Sequence, residues 1–305
     1  MINRALVAIE PKSFPEYEAA VVESGGVVSP LGPDVTALVW TDYAQPLALA
    51  EALHANPQLE WVQLPFAGVD AFDEVLKHPV RFTSAKGSYR EPVAEHALML
   101  CMALGRKIPE RVRANSWGKK FAVSLYDANV LILGAGGITE ELIKLLTPFR
   151  SNVTVVRNRK LPIDGCSKVE TLDRLPHLLA GADFVILACA LTDQTRGLFN
   201  APMLAKLKPE AYLVNIARGP VVVTADLLDA LKRGVLAGAA LDVTDPEPLP
   251  DGHPAWSEPN LLITPHTADT NSMVKRMFAV RLRENVAAHL GRGNWVGLVD
   301  PNLGY

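Results

Sequence analysis

A chain of 305 residues is long enough to bury two domain-sized cores. Its 49% apolar and 21% charged residues are those of an ordinary globular protein, and a formal net charge of −3 excludes the broad basic face that a nucleic-acid partner would require. The three cysteines, Cys101, Cys166 and Cys189, stand far apart with no zinc-like spacing, which excludes a disulfide framework and a metal cluster and suits a reducing compartment. The opening MINRALVAIEPKS runs straight into a strand-like segment without a signal-peptide core, so a cytoplasmic protein is expected. ALVAI, TALVW, LEWVQLP and VRFTS then read as short strands, and FPEYEAAVVESG and PLALAEALHANP as helices closed by Gly or Pro. This alternation predicts a small parallel-sheet domain.

EPVAEHALMLCMALGRKIPERVRANSW is the longest helical pattern and is placed to bridge two domains. Pro92 suits a first helical turn, whereas Pro109 is predicted to stop or kink the helix. Its apolar stretch ALMLCMALG is too short to span a bilayer, so no membrane partner is expected. From about Asp127 a second, more regular alternation begins, with the predicted strands NVLILGA, NVTVVRN, DFVILACA, AYLVNIA, LAGAALDV and NLLITPH. Continuous apolar runs of this kind are expected of parallel strands covered on both faces. The tail NSMVKRMFAVRLRENVAAHLGRG is amphipathic and predicted to fold back on the first domain. The predicted organisation is a first domain of residues 1–95 with 274–305, and a second of residues 96–273. The class is α/β, with two Rossmann-like parallel-sheet domains.

NVLILGAGGITEELIKLL supplies the strand, glycine turn and helix of a dinucleotide site. Gly134 is expected to make the tight turn, and Gly136 to let the backbone approach a pyrophosphate at the helix N-terminus. Thr139 stands where the third glycine of the fingerprint is usual, and is expected to push the helix out slightly without abolishing phosphate binding. An NAD site places an acidic residue about 20 residues farther on. Here the next strand instead ends in Arg157, Asn158, Arg159 and Lys160. Guanidinium groups can grip a 2′-phosphate that a carboxylate would repel, so NADP(H) is the expected cofactor, with NAD(H) possible.

Gly134, Arg157, Cys189, Arg218, Asp242 and His266 all fall at the ends of predicted strands, where doubly wound sheets bind their ligands. A cation, a carboxylate and an imidazole, Arg218, Glu247 and His266, follow the last apolar runs in that order and form a set able to bind an anion and transfer a proton. Each alone would be an ordinary surface residue. The words GVDAFD, EPVAEHALML, LGAGGI, TRGLFN, NIARG, LDV with EPLP, HPAW with PNLLITPH, and the closing GY resemble, in order, those of the D-2-hydroxyacid dehydrogenase family. The basic VVRNRK and the ending VDPNLGY resemble its glyoxylate/hydroxypyruvate reductase branch most.

That resemblance implies a flavodoxin-like substrate domain beside the dinucleotide-binding domain, with an active-site cleft between them. It implies His266 as the acid–base residue that protonates the carbonyl oxygen, Glu247 as its partner, and Arg218 as the group binding the substrate carboxylate and carbonyl. It implies that Asp242 holds the nicotinamide carboxamide. Gly137, Ile138, Cys189, Ala190, Ile216, Ala217 and Val93 match cofactor-binding positions, and Ala67, Gly68 and Val69 a substrate loop, with Trp40 a candidate pocket wall. The remaining histidines, His54, His78, His96, His177, His253 and His289, are read as structural; of these His96, which follows Glu95, is the one expected to face the cleft. Cys189 is read as a small apolar lining residue. Three departures from the family pattern stand out: Thr139 in place of the third glycine, Ala190 in place of a frequent proline, and HTAD in place of the usual His-x-Gly after the acid–base position. The implied activity is reduction of a small 2-oxo acid to a 2-hydroxy acid, by a homodimer without metal. Alternatives are NAD-dependent oxidation of a 2-hydroxy acid such as phosphoglycerate, or a dinucleotide-sensing, corepressor-like binding protein.

Overall fold

The computed structural model describes residues 5–300; the closing Gly304 and Tyr305 lie outside the described residues. The chain divides into two compact units: residues up to Tyr89 together with those from Thr270 onward, and Arg90–Asp269.

The first unit is a five-stranded parallel sheet in the order β2-β1-β3-β4-β5, with β1 Leu6–Glu10, β2 Val27–Val28, β3 Ala37–Trp40, β4 Trp61–Gln63 and β5 Arg81–Thr83. This 2-1-3-4-5 order is the flavodoxin-like winding. Helices α1 Pro15–Glu23 and α2 Pro46–Ala55 each carry proline in the first turn, where its missing N–H has no helical partner to lose. Leu38, Leu49, Val62, Leu64 and Phe72 form the core on one face. The C-terminal helix Asn271–His289 packs on α1, with Phe278 edge-on to Tyr17 at 5.0 Å and Arg283 paired to Glu23. The strand β2, two residues long, is not legible in the apolar pattern.

The second unit holds helices α3 Arg90–Gly105, α4 Ile108–Arg113, α5 Gly137–Leu146, α6 Leu175–Leu178, α7 Ala201–Leu204 and α8 Thr224–Lys232. Pro109 does not end the first of these. The helix stops at Gly105, Lys107 takes φ +51°, and Pro109 occupies the first turn of α4. Seven parallel strands run in the order β12-β11-β10-β9-β6-β7-β8. They are β6 Asn129–Leu133, β7 Asn152–Val156, β8 Lys168–Glu170, β9 Phe184–Leu187, β10 Tyr212–Asn215, β11 Gly238–Leu241 and β12 Leu261–Ile263. Counted from β6 this is the doubly wound order, and its direction of growth reverses between β6 and β9. Val185, Ile186, Leu213 and Val214 are completely buried, as strands covered on both faces require. The sequence pattern misses β8, a short charged strand at the sheet edge. Among the described residues no helix is long and apolar enough to cross a membrane.

Candidate active and nucleotide site

At the reversal point of the second sheet the backbone is crowded. At Gly134, immediately after β6, φ is +113° and a Cβ would lie 2.3 Å from the Ala188 carbonyl oxygen beyond β9. Only glycine fits there. Two residues on, Gly136 caps α5 with nothing within 4 Å of a would-be Cβ. That opening lies over the helix N-terminus, where the first N–H groups have no partner within the helix. A diphosphate fits this cradle. Thr139 is completely buried and its hydroxyl donates to the Gly134 carbonyl at 3.0 Å, so the residue in place of the third glycine ties the helix back to the turn. Gly137 and Ile138 complete the first turn of α5.

At the end of β7, the Arg157 backbone N–H donates to the Glu170 carbonyl at 3.0 Å. Lys160 is drawn away from the basic run: its amine and that of Lys168 both pair with Glu170 at 2.9 Å, and these bonds hold that carboxyl down at about 2. Among the described residues neither Arg157 nor Arg159 pairs with a carboxylate. Asn158 lines an open depression of about 800 Å³ with Thr171, Leu172, Asp173 and Gln194. Beyond β9, Cys189 is half-buried, and desolvation pushes its thiol up to about 12, which leaves it unreactive near neutral pH. Where proline is frequent in the resembled family, the Ala190 carbonyl accepts the Thr195 hydroxyl at 2.8 Å, and that hydroxyl also accepts the Thr192 N–H. A side-chain bond thus fixes the turn that a ring would otherwise stiffen. Ile216, Ala217 and Val93 are buried at the ends of β10 and in the first turn of α3.

The loop after β10 is shaped by Asn215. Its side chain accepts the Ala217 N–H at 3.1 Å and donates to the Arg218 carbonyl at 3.0 Å. Arg218 leaves this turn extended, and its guanidinium donates to the Ala217 carbonyl at 2.8 Å. Gly219 follows under a tight constraint: a Cβ would sit 1.8 Å from the Thr244 carbonyl oxygen. This close approach joins the Arg218 loop to the loop after β11. Replacing Gly219 with Ala should therefore force backbone apart, costing roughly 1–3 kcal/mol or more of stability, read as a lowered midpoint in urea. An unchanged midpoint would show that the two loops part freely.

Within the second loop, the Thr244 N–H reaches Glu247 Oε2 at 3.3 Å and the Thr244 hydroxyl donates to the Pro246 carbonyl at 2.9 Å. Glu247 Oε1 then meets His266 Nδ1 at 2.6 Å. The bond from Glu247 raises the His266 pKa above its ordinary value; burial opposes this, the charges of Glu247 and Asp242 add to it, and Arg218 works against it. For Glu247, burial acts upward, but the His266 bond and charge, the Thr244 N–H and the Arg218 charge outweigh it and the net direction is down. Asp242 is buried at 2% exposure. Burial works upward there too, yet bonds from His96, Thr264 and Thr267 prevail and hold it low. Asp269 moves the other way, raised chiefly by burial, with Asp242 adding and His266 opposing. The pieces Arg218, Glu247 and His266 thus stand at the carboxyl ends of adjacent strands, with one hydrogen-bonded acid–base pair among them. Asn215, Thr264 and His96 are the residues that sequence reasoning left without a role in this site.

In the first unit, Trp40 ends β3 and is buried, its indole N–H committed to the Asp42 carbonyl at 2.6 Å. The loop carrying Ala67, Gly68 and Val69 lies between β4 and a short 3-10 turn, flanked by the Tyr43, Phe66 and Phe72 rings. Among the described residues the N–H groups of Ala67, Gly68 and Val69 have no acceptor within the chain.

The family model described as D-isomer specific 2-hydroxyacid dehydrogenase, NAD binding domain, matches residues 97–268. A human glyoxylate reductase/hydroxypyruvate reductase is 31% identical over 77% of this chain and 75% of its own. Among solved structures, a D-isomer specific 2-hydroxyacid dehydrogenase from Xanthobacter autotrophicus Py2, bound to NADPH and MES, is 28% identical with a TM-score of 0.84 and covers 99% of both chains. An NADPH-dependent glyoxylate/hydroxypyruvate reductase from Sinorhizobium meliloti, bound to NADP and sulfate, is 27% identical with a TM-score of 0.82, over 99% of this chain and 100% of its own.

Proposed function

The chain belongs to the D-isomer specific 2-hydroxyacid dehydrogenase family, and from that premise we propose that it reduces a small 2-oxo acid, glyoxylate or hydroxypyruvate, to the D-2-hydroxy acid with NADPH. The observation that carries the proton-transfer half is the 2.6 Å contact between His266 Nδ1 and Glu247. It commits Nδ1–H to the carboxylate and leaves Nε2 as the atom that gives up a proton. When bound, NADPH would supply the hydride for C2 of the oxo acid. His266 delivers its Nε2 proton to the C2 oxygen, so the carbonyl becomes a hydroxyl and the imidazolium becomes imidazole, stabilised by Glu247 throughout. Arg218 grips the substrate carboxylate and draws electron density onto the carbonyl oxygen, a two-pronged contact suited to guanidinium. Asp242 would orient the carboxamide of the nicotinamide ring. The unbonded N–H groups of Ala67, Gly68 and Val69 are suited to a carboxylate, and Trp40 at the end of β3 would be a pocket wall.

Gly134, Gly136, Gly137 and Ile138 would hold the diphosphate. Arg157, Asn158 and Arg159 would hold the adenosine end, with Cys189, Ala190, Ile216, Ala217 and Val93 lining the remainder. The absence of an acid at the end of β7, and the NADPH and NADP held by the two similar structures, support NADP(H). Purified protein given glyoxylate and hydroxypyruvate should consume NADPH in preference to NADH. Arg157→Asp should cut that preference by about tenfold or more, the worth of one charge-assisted hydrogen bond. A ratio that does not move would reduce Arg157 to a solvated turn residue, and no turnover with either nucleotide would remove the activity itself.

The assembly is read as a homodimer. Val112 and Trp117, 77% and 89% exposed, stand with Ile108 and Phe121 as apolar side chains on and just beyond α4. An apolar group of this kind marks an interface. Trp117→Asp should halve the mass seen by sedimentation; a wild-type monomer would end this part of the reading.

A further inference from the structure

His96 projects from α3 into a contact that the proposed reaction does not use. Its Nε2 lies 3.0 Å from the Thr264 hydroxyl oxygen and 3.2 Å from Asp242 Oδ1, and its side chain is 13% exposed. The Thr264 hydroxyl has a single hydrogen, and the 2.6 Å contact to Asp242 Oδ1 commits it there. Thr264 can therefore only accept from His96, and Asp242 can only accept, so His96 Nε2 must carry a hydrogen and share it between the two oxygens. Asp242 in turn embraces the loop on both sides of the acid–base histidine. Its backbone carbonyl accepts the His266 N–H at 2.8 Å, and its carboxylate accepts the N–H groups of Thr267 at 3.0 Å and Ala268 at 3.3 Å. Between these bonds His266 sits at φ +51°. A left-handed non-glycine residue is strained and persists only where its surroundings over-determine it.

Resting on the proposed role of His266, we propose that His96 is a positioning residue: its Nε2–H, with the Thr264 hydroxyl, pins the Asp242 carboxylate, and the pinned carboxylate holds the 264–268 loop so that His266 stays aligned on Glu247. Removing the His96 donor leaves a buried carboxylate short of one partner, and it must turn or draw on another N–H to recover it. Either movement loosens the bonds to Thr267 and Ala268. The His266 imidazole then drifts from Glu247, and His96 acts on it only through Asp242. Asp242 Oδ2, which accepts only the Ala268 N–H among the described residues, keeps capacity for a further donor from a bound ligand.

Two substitutions separate shape from hydrogen bonding. His96→Phe keeps a ring and loses the donor; His96→Gln places an amide N–H where the imidazole Nε2–H lies. Two readouts are needed, steady-state reduction of glyoxylate with NADPH, and the titration of the His266 ring followed by NMR in the full-length protein without substrate. The second stands whether or not glyoxylate is turned over, so a wrong activity and a wrong positioning role give different results. Glu247, Asp242, Arg218 and Asp269 are the titratable and charged groups that act on His266, and none is altered. The expected result is that His96→Phe lowers kcat by about ten- to a hundredfold, the cost of a small misplacement, moves the His266 titration down toward the ordinary histidine range, and leaves NADPH binding by calorimetry within a few-fold. His96→Gln should restore most of both. Thr264→Val, which removes the neighbouring donor, should shift the titration in the same direction. An unchanged His266 titration in His96→Phe would overturn the proposal, as would a His96→Gln protein as impaired as His96→Phe, which would make the histidine a matter of packing.

Discussion

Replacing His266 with Gln should lower kcat/KM for glyoxylate reduction by about 10³-fold, within the range that a positioned acid or base contributes, while NADPH binds as before. The glutamine side chain can still donate a hydrogen bond but cannot release a proton, so substrate alignment survives and proton delivery does not. The pH dependence carries the sign. Reduction requires His266 protonated, and the Glu247 bond raises its pKa. In the wild-type protein the rate should therefore hold at low pH and fall as pH rises through that raised value. In Glu247→Gln the fall should move to lower pH, and in His266→Gln the limb should vanish. A His266→Gln protein that keeps both its rate and its alkaline limb would assign the proton to another group. The same shifts fix what the pair does for stability. A raised histidine contributes stability that is fully present below its ordinary value of 6.5 and is lost as pH rises through the folded one. The lowered Glu247 contributes above its ordinary 4.5 and loses it as pH falls through the folded value. The pair thus works between those limits. With His266 and Glu247 side chains 51% and 40% exposed, solvent screening keeps the stability share small, and the effect is felt in the chemistry.

What could be read from the chain follows a physical division. Long apolar runs specify buried parallel strands, and both sheets, the glycine turn and the order Arg218, Glu247, His266 lie on or beside such runs, so the α/β class and the family were legible. The two short strands, Val27–Val28 and Lys168–Glu170, were not, because edge pairing needs little apolar surface and leaves no periodicity. Pro109 predicts a stop or kink in the pattern, whereas its fixed φ and missing N–H suit the start of the next helix equally well. Gly219 looks like any glycine after an arginine; its necessity comes from a carbonyl 25 positions onward in the loop after β11, a contact that no local pattern records. Thr264 and Asn215 were hidden for the same reason, and His96, expected to face the cleft, gave no sign of its partners. A polar residue declares its role through the atoms it meets, and those atoms belong to distant strand ends. The departures became intelligible likewise: Thr139 and Thr195 each place a hydroxyl on a backbone carbonyl, at Gly134 and Ala190.

Arg218→Lys should lower kcat/KM by about a hundredfold, as loss of one well-placed donor to a developing oxyanion does elsewhere. The turn that carries Arg218 is fixed from three sides: by both ends of the Asn215 amide, by the bond from its own guanidinium to the Ala217 carbonyl, and by the contact of Gly219 with the Thr244 carbonyl. A lysine placed on that turn keeps the charge but offers a single ammonium on a flexible stem, and cannot meet a carboxylate and a carbonyl oxygen together in one plane. The loss should therefore divide between the two kinetic constants, a raised KM from the carboxylate grip and a lowered kcat from the unpolarised carbonyl. Arg218→Ala separates charge from shape. The Arg218 charge presses the His266 pKa down, so the alanine protein should lose its residual activity at a higher pH than the wild type, whereas the lysine protein should keep the wild-type limb. Added guanidinium ion should recover part of the alanine protein's rate by filling the vacated space with the planar cation. If lysine serves within a few-fold of arginine, the contact is a single charge pairing, and the two-pronged grip on the oxo acid is wrong.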